Sequence, residues 1–224
     1  MSRIREFAAR QPGAQTVHRA FTKALARRRT HKELNRLLAS PNEIWLEIGS
    51  GPKRGSNGWV TLDFEGDCDL SWDLRGGIPF PDRSISRIYS SHLFEHLTHN
   101  EGQQLMLECV RVLRPLGEFS ICVPNARLYL DAYARKERLS EPFLDWAPAI
   151  QGDSLIDMVN YVAYLDGHHK CLIDEESLLN RMQSVGMIDV RRRPFDPTID
   201  SQDRDFESIY AIGYKPGETA EVSG

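Results

Sequence analysis

Five short stretches carry residue types that can do chemistry. Glu47, Gly49, Ser50 and Gly51 stand together in Glu-Ile-Gly-Ser-Gly-Pro. Glycines there let the backbone turn sharply and approach a ligand with no Cβ in the way. Asp63 and Phe64 close Trp-Val-Thr-Leu-Asp-Phe. A carboxylate ending a strand accepts hydrogen bonds from both hydroxyls of a ribose, although taken alone Asp63 could equally be a turn or cap residue. Asp73 and Leu74 follow in Trp-Asp-Leu, Ser91 and His92 lead into Glu95-His96, and His169 sits in His-His-Lys. Histidine titrates near neutrality, so His92, His96 and His169 are candidates for general-base work. Each also fits a structural hydrogen-bonding role.

The glycine loop and Asp63 together fit either a dinucleotide or S-adenosyl-L-methionine. A dinucleotide wants a third glycine and a helix N-terminus facing its pyrophosphate. Pro52-Lys53-Arg54 stand there instead. S-adenosyl-L-methionine has no phosphate and needs acceptors for its amine and hydroxyls, which Glu47 and Asp63 supply. His92-x-x-Glu95-His96 also matches an inverted zinc-protease signature. That reading needs a third ligand and a helical context, whereas this stretch directly follows a strand. Glu95 and His96 are expected to cap and orient the loop, and no metal is expected.

These stretches need a scaffold that brings them to one edge. Apolar runs predict strands at residues 43–48, 59–64, 68–72, 87–91, 118–123, 188–193 and 208–214. Helices are predicted at residues 15–39, 101–113 and 174–185, the last with Asp174 as N-cap and Gly186 closing it. Strands alternating with helices imply an α/β fold: a Rossmann-like, doubly wound, mostly parallel seven-stranded sheet. Ligands in such sheets sit beyond the carboxyl ends of the strands. Only about ten residues separate the first glycine from the second strand, and a parallel crossover takes a dozen or more. The first crossover helix is therefore expected to be very short or lost.

From about Glu43 to Asn125 the chain resembles class I S-adenosyl-L-methionine-dependent methyltransferases, in the small branch associated with polysaccharide biosynthesis. The stretches that carry the resemblance are E-I-G-S-G-P, G-W-V-T-L-D-F, D-L-R-G-G-I-P-F-P-D, S-S-H-L-F-E-H-L and R-V-L-R-P-L-G-E-F-S-I-C-V-P-N. H-H-K-C-L-I-D-E-E-S-L-L-N-R-M-Q-S-V-G-M resembles the family's penultimate helix. The resemblance implies that Glu47, Gly49, Ser50 and Gly51 line the methionine part of the cofactor. It places Asp63 on the ribose with Phe64 beside it, Asp73 and Leu74 at the adenine, and Ser91 and His92 near the reactive methyl. Ser86 replaces the aspartate usual before the fourth strand, a change expected to be harmless. Related quinone O-methyltransferases carry Glu-x-x-Glu-His where this chain has His92-x-x-Glu95-His96, and can hold a divalent metal. The resemblance fades from about 127 to 166, a lid-like insertion. Its Tyr129, Tyr133, Phe143, Trp146, Tyr161 and Tyr164 either pack a core of their own, the preferred reading, or cover an acceptor.

Composition bounds the rest. The 224 residues carry a net charge of −4, but the first 40 hold ten Lys/Arg against two Glu, so an arm of +8 precedes a body of −12. The arm reads as a basic amphipathic helix, with Val17, Phe21, Leu25, Leu34, Leu37 and Leu38 at helical spacing. It fits peripheral contact with an anionic membrane or a nucleic acid, and an arginine-rich, acid-poor leader has a similar composition. Four dispersed cysteines argue for a reducing cytoplasm, and no apolar run reaches membrane-span length. The division expected is 1–40 as arm and 41–224 as catalytic domain. The expected function is methylation of a small molecule or glycan, on oxygen. The alternatives are a nucleic-acid methyltransferase, disfavoured because Ser90-Ser91-His92-Leu93 stands where Asn-Pro-Pro-Tyr would, and a non-catalytic binding protein of the same fold.

Overall fold

The computed structural model describes residues 27–64, 67–150 and 152–217. Seven strands form one sheet: β1 (Trp45–Ile48), β2 (Trp59–Asp63), β3 (Leu70–Ser71), β4 (Ile85–Ser91), β5 (Leu113–Pro124), β6 (Ile188–Arg192) and β7 (Ser208–Tyr214). Their order is β3-β2-β1-β4-β5-β7-β6. The first five run parallel, and β7 runs antiparallel to both β5 and β6. This is the mostly parallel seven-stranded sheet expected. The chain winds outward from β1 to β3, then restarts at β4 on the other side of β1. That switch point opens a crevice at the strands' carboxyl ends.

Five helices are described: α1 (27–38), α2 (His99–Val112), α3 (Ala126–Ala134), α4 (Leu155–Tyr164) and α5 (Glu175–Ser184). Leu46, Ile48, Leu62, Ile88, Phe119, Ile121 and Ala211 alternate onto one sheet face and are fully buried. Leu34 and Leu37 of α1, Leu105, Met106, Cys109 and Val112 of α2, and Leu178 and Met182 of α5 complete that core. Local signals start these helices, α2 two residues before the expected residue 101 and α5 just after the expected Asp174 cap. Thr98 and Glu101 form a reciprocal capping box on α2. Asp174 caps α5 by accepting from the Ser177 N–H at 2.9 Å.

Residues 15–26 of the predicted basic helix, with Val17, Phe21 and Leu25, lie outside the described residues. The described part packs on the sheet. Thr30 is buried, and its hydroxyl accepts from the Ser71 N–H at 2.9 Å and donates to the Ser71 carbonyl at 3.2 Å. Arg29 donates to the Cys68 carbonyl at 3.2 Å.

The opposite sheet face carries Glu47, Thr61, Tyr89, Ser120, Cys122 and Tyr210. Over β4, β5 and β7 the segment 193–207 crosses it. Tyr89 Oη donates to Asp200 at 2.9 Å. Arg193 donates to Ser120 Oγ at 2.7 Å, grips the Asp200 carboxylate at 2.5 and 2.7 Å, and lies 4.8 Å from the Tyr210 ring centre. The insertion near 127–166 folds as α3 and α4 with a core of its own, containing Tyr129, Ala132, Met158, Tyr161 and Val162. The preferred reading of its aromatics thus holds for Tyr129, Phe143 and Tyr161, while Tyr133 and Tyr164 are exposed.

As ten residues require, the connection from β1 to β2 contains no helix. Gly49 turns it with φ +69°, and its N–H bonds the Leu62 carbonyl at 2.9 Å. A Cβ on Gly49 would meet Leu93 side-chain atoms at 2.7–2.9 Å, whereas one on Gly51, φ +65°, would meet nothing within 4 Å.

Two outcomes follow from this packing. Leu34→Ala removes a buried side chain from the core and is expected to lower unfolding free energy by ~2–5 kcal/mol. Urea denaturation showing under ~0.5 kcal/mol, the usual range for surface substitutions, contradicts the placement of α1. Gly51→Ala pays only the left-handed backbone penalty of ~1–2 kcal/mol. Gly49→Ala adds a collision with Leu93, so its melting temperature is expected to fall further. Equal melting temperatures for the two variants refute the Leu93 contact.

Candidate active site

The residues expected to hold the cofactor converge on the carboxyl ends of β3, β2, β1 and β4, four adjacent strands. Asp63 ends β2, and its Oδ2 accepts the Gly51 N–H at 2.9 Å, so the carboxylate sits against the glycine loop. With open space beside Gly51, this corner fits an adenosine ribose. Ser50 Oγ donates to the Gly51 carbonyl at 3.1 Å. Phe64 is exposed beside Asp63. Asp73 caps the 3-10 turn Leu74–Gly76, and Arg75 holds its two oxygens at 2.9 and 2.7 Å. Leu74 packs against the main core.

Glu47 stands at the carboxyl end of β1. Its side chain points to the sheet face shared with Thr61 and Tyr89, and Lys53 Nζ lies 2.6 Å from its carboxylate. Burial pushes the Glu47 carboxyl up, and Lys53 opposes that shift.

Beyond β4 the backbone turns through His92 at φ +49°, and a 3-10 turn, Phe94–His96, follows. This turn brings His92, Glu95 and His96 together, and His169 joins them from the segment after α4. The His96 and His169 rings stand edge to face at 4.9 Å. The three candidate bases thus share one wall with Glu95. The expectation that Glu95 caps the loop fails, because neither of its buried carboxylate oxygens has a hydrogen-bond partner. An ionised carboxylate so placed costs several kcal/mol, and burial pushes its pKa up to about 8.

The histidines do not relieve it. His96 Nδ1 lies 3.0 Å from the His168 carbonyl, and His169 Nδ1 lies 2.7 Å from the Val162 carbonyl. A carbonyl only accepts, so each Nδ1 carries the proton and each neutral ring leaves Nε2 a bare lone pair. Ser208 Oγ donates to the Arg204 carbonyl at 2.6 Å and so accepts from His92 Nε2 at 2.9 Å. His92 then turns its Nδ1 lone pair toward Glu95, 3.5 Å from Oε1. That contact is not an ion pair, because burial lowers the His92 pKa to about 3 and the ring is neutral. Burial likewise lowers His169 to about 4 and shifts His96 downward.

This wall bounds a cavity of about 380 Å³, lined also by the aromatic Tyr129, Trp146, Tyr161 and Phe206. Asp145, Asp203 and Glu207 add acidic groups against one cation, Arg204. Glu207 accepts from Tyr129 Oη at 2.8 Å, and burial raises its pKa. The sequence reading missed Asp203, Arg204, Phe206 and Glu207. Their one local sign is a dense acidic-aromatic run, Asp-Arg-Asp-Phe-Glu, just before β7.

The family model described as a methyltransferase domain matches residues 70–121, from β3 into β5. No curated protein sequence is significantly similar to the chain. Among solved structures, a SAM-dependent methyltransferase from Archaeoglobus fulgidus aligns at 15% identity over 86% of this chain and 94% of that one, with a TM-score of 0.48. One from Aquifex aeolicus aligns at 11% identity over 83% and 89%, with a TM-score of 0.45. Phosphoethanolamine N-methyltransferase 2 of Haemonchus contortus, solved with S-adenosyl-L-methionine, aligns at 13% over 82% and 51%, with a TM-score of 0.44. Residues 70–121 thus match a methyltransferase domain, and the sheet order and the crevice beside Gly51 and Asp63 fit the doubly wound fold of such enzymes.

Proposed function

We propose that the chain methylates a hydroxyl of a small polyhydroxylated molecule or glycan, as in the polysaccharide-associated branch it resembles. The observation that carries this reading is the lining of the 380 Å³ cavity, where Trp146 and Phe206 stand with Asp145, Asp203 and Glu207. Aromatic faces cover the apolar faces of sugar rings, and carboxylates accept from their hydroxyls. The same lining disfavours a polyanionic acceptor such as RNA, since Arg204 is the one Lys or Arg in it.

Gly49, Ser50, Gly51, Asp63, Phe64, Asp73, Leu74, Ser91 and His92 form the cofactor side, with Glu47 acting through Lys53. Bound S-adenosyl-L-methionine supplies an activated sulfonium methyl, whose carbon–sulfur electron pair stays on sulfur after transfer. This chain's task is alignment of an in-line attack and removal of the hydroxyl proton. The neutral rings of His92, His96 and His169 line the wall where that proton leaves. The basic first 40 residues give the acidic body an electrostatic handle on an anionic membrane face, an attraction that salt screens. Among the described residues no helix is long and apolar enough to cross a membrane.

Two measurements test the reading. Asp63→Ala is expected to weaken S-adenosyl-homocysteine binding ~100-fold or more, because two charge-assisted bonds of about 1.5–3 kcal/mol each are lost. Wild-type affinity by calorimetry means the ribose is held elsewhere. Incubation with methyl-labelled cofactor and separate pools of sugars and glycans, amines and RNA is expected to label sugar hydroxyls as alkali-stable ethers. Label found in amines or RNA alone overturns the acceptor class.

A further inference from the structure

The wall around Glu95 is built of acceptors facing acceptors. Its carboxylate oxygens receive no hydrogen bond. His96 and His169 spend their ring protons on the His168 and Val162 carbonyls. His92 spends its proton on Ser208. The rings of His92, His96 and His169 thus present lone pairs inward, and a carboxyl oxygen of Glu95 and one ring nitrogen each of His96 and His169 lie within 4.8 Å of one another. His96 Nε2 is 3.9 Å from Glu95 Oε1. Such a set lacks one thing, a positive charge with open coordination sites.

We propose that Glu95, His96 and His169 bind a divalent first-row transition-metal ion of the zinc type, through a Glu95 oxygen and Nε2 of each histidine. Three features of the site fit it. Two imidazoles and one carboxylate are the donor set of open, catalytic zinc sites. Metal-bound histidines characteristically donate their other ring N–H to a carbonyl or carboxylate, which fixes the tautomer, and both rings here are already held that way. The spacing also closes readily. With bonds of about 2.0–2.2 Å, ligand atoms around such an ion stand roughly 3–3.5 Å apart, so small rotations suffice. His96, with 39% of its side chain exposed, lies on the entry side. His92 stays outside the ligand set, its Nδ1 lone pair 3.5 Å from Glu95.

The ion's catalytic role rests on the hydroxyl-acceptor reading. Its fourth position opens to the cavity, where an acceptor hydroxyl can bind it. A bound cation lowers the pKa of an oxygen it ligates. The O–H bond breaks and its proton leaves to water in the cavity, while the oxygen pair forms the new bond to the sulfonium methyl as the carbon–sulfur pair returns to sulfur.

The test uses full-length, tag-free protein stripped with a chelator and titrated with Co²⁺. Visible d–d bands saturating at one equivalent, and displaced by Zn²⁺, are expected. Glu95→Gln and His169→Asn are each expected to weaken Co²⁺ binding by ~100-fold or more, since loss of even an outer-sphere partner costs roughly 10–100-fold. Circular dichroism and S-adenosyl-homocysteine affinity should stay at wild-type values in both variants. His99→Asn, an exposed imidazole at the start of α2, should change neither readout. Wild-type protein that binds S-adenosyl-homocysteine but gives no saturable Co²⁺ band overturns the site, as does wild-type Co²⁺ affinity in both ligand variants. The Co²⁺ readout needs no acceptor, so protein that binds Co²⁺ but methylates no hydroxyl sinks the acceptor reading and leaves the ion site standing.

Discussion

The close approach of Leu93 to Gly49 organises both halves of the site. The space where a Gly49 Cβ would stand is filled by Leu93 side-chain atoms. That contact locks the loop after β1 against the turn after β4. Leu93 can reach Gly49 because His92 takes a left-handed backbone conformation, which a non-glycine residue adopts only when its surroundings hold it there. The same bend sends His92 and Glu95 toward the cavity. The glycine loop and the histidine-lined wall are therefore two sides of one packed joint, and their relative position does not depend on a flexible linker.

The two sheet faces divide the remaining work. One carries the aliphatic core shared by α1, α2 and α5. The other carries polar and aromatic side chains, and segment 193–207 crosses it without forming a further strand. What holds that segment is the buried Arg193–Asp200 pair, with Tyr89 and Ser120 satisfying atoms the two charges leave over. A buried pair of this kind adds little net stability compared with an apolar substitute. It does fix geometry, and the residues that follow it, Asp203, Arg204, Phe206 and Glu207, line the acceptor cavity. An ion pair on the far face of β4 and β5 thus sets where the acceptor wall stands.

What the sequence revealed was mostly local. Asp174, Ser177 and Gly186 lie within one helix and its ends, so α5 could be read almost to the residue. Ten residues between Gly49 and β2 were enough to exclude a crossover helix. Asp63 beside Gly51 was legible because a strand end and a glycine turn have characteristic residue types. The acceptor side was not legible, because its meaning depends on contacts over long separations. Glu95 reads as a cap in Glu-His-Leu; its isolation appears only when His169 and Ser208 are brought beside it. Tyr89 meets Asp200 across 111 residues. Lys53 reads as a surface lysine until the loop folds it onto Glu47. Helical periodicity in α1 showed an apolar stripe but not which surface would cover it.

Glu95 also shows how the fold ranks its demands. Folding alone would favour a methionine or leucine in that space, since an apolar side chain there avoids the several kcal/mol of burying a carboxylate. Two separate segments supply the three imidazoles around it, and each ring is oriented by a bond to a backbone carbonyl or to Ser208. That arrangement fixes all three tautomers with lone pairs inward. A core that merely tolerated a stray acid would place a donor beside it. Orienting three imidazole lone pairs toward a buried carboxyl that has no hydrogen-bond partner opposes stability, and local conflicts of this kind are concentrated at functional sites. The conflict lies at the cavity wall, two residues from the Leu93 joint.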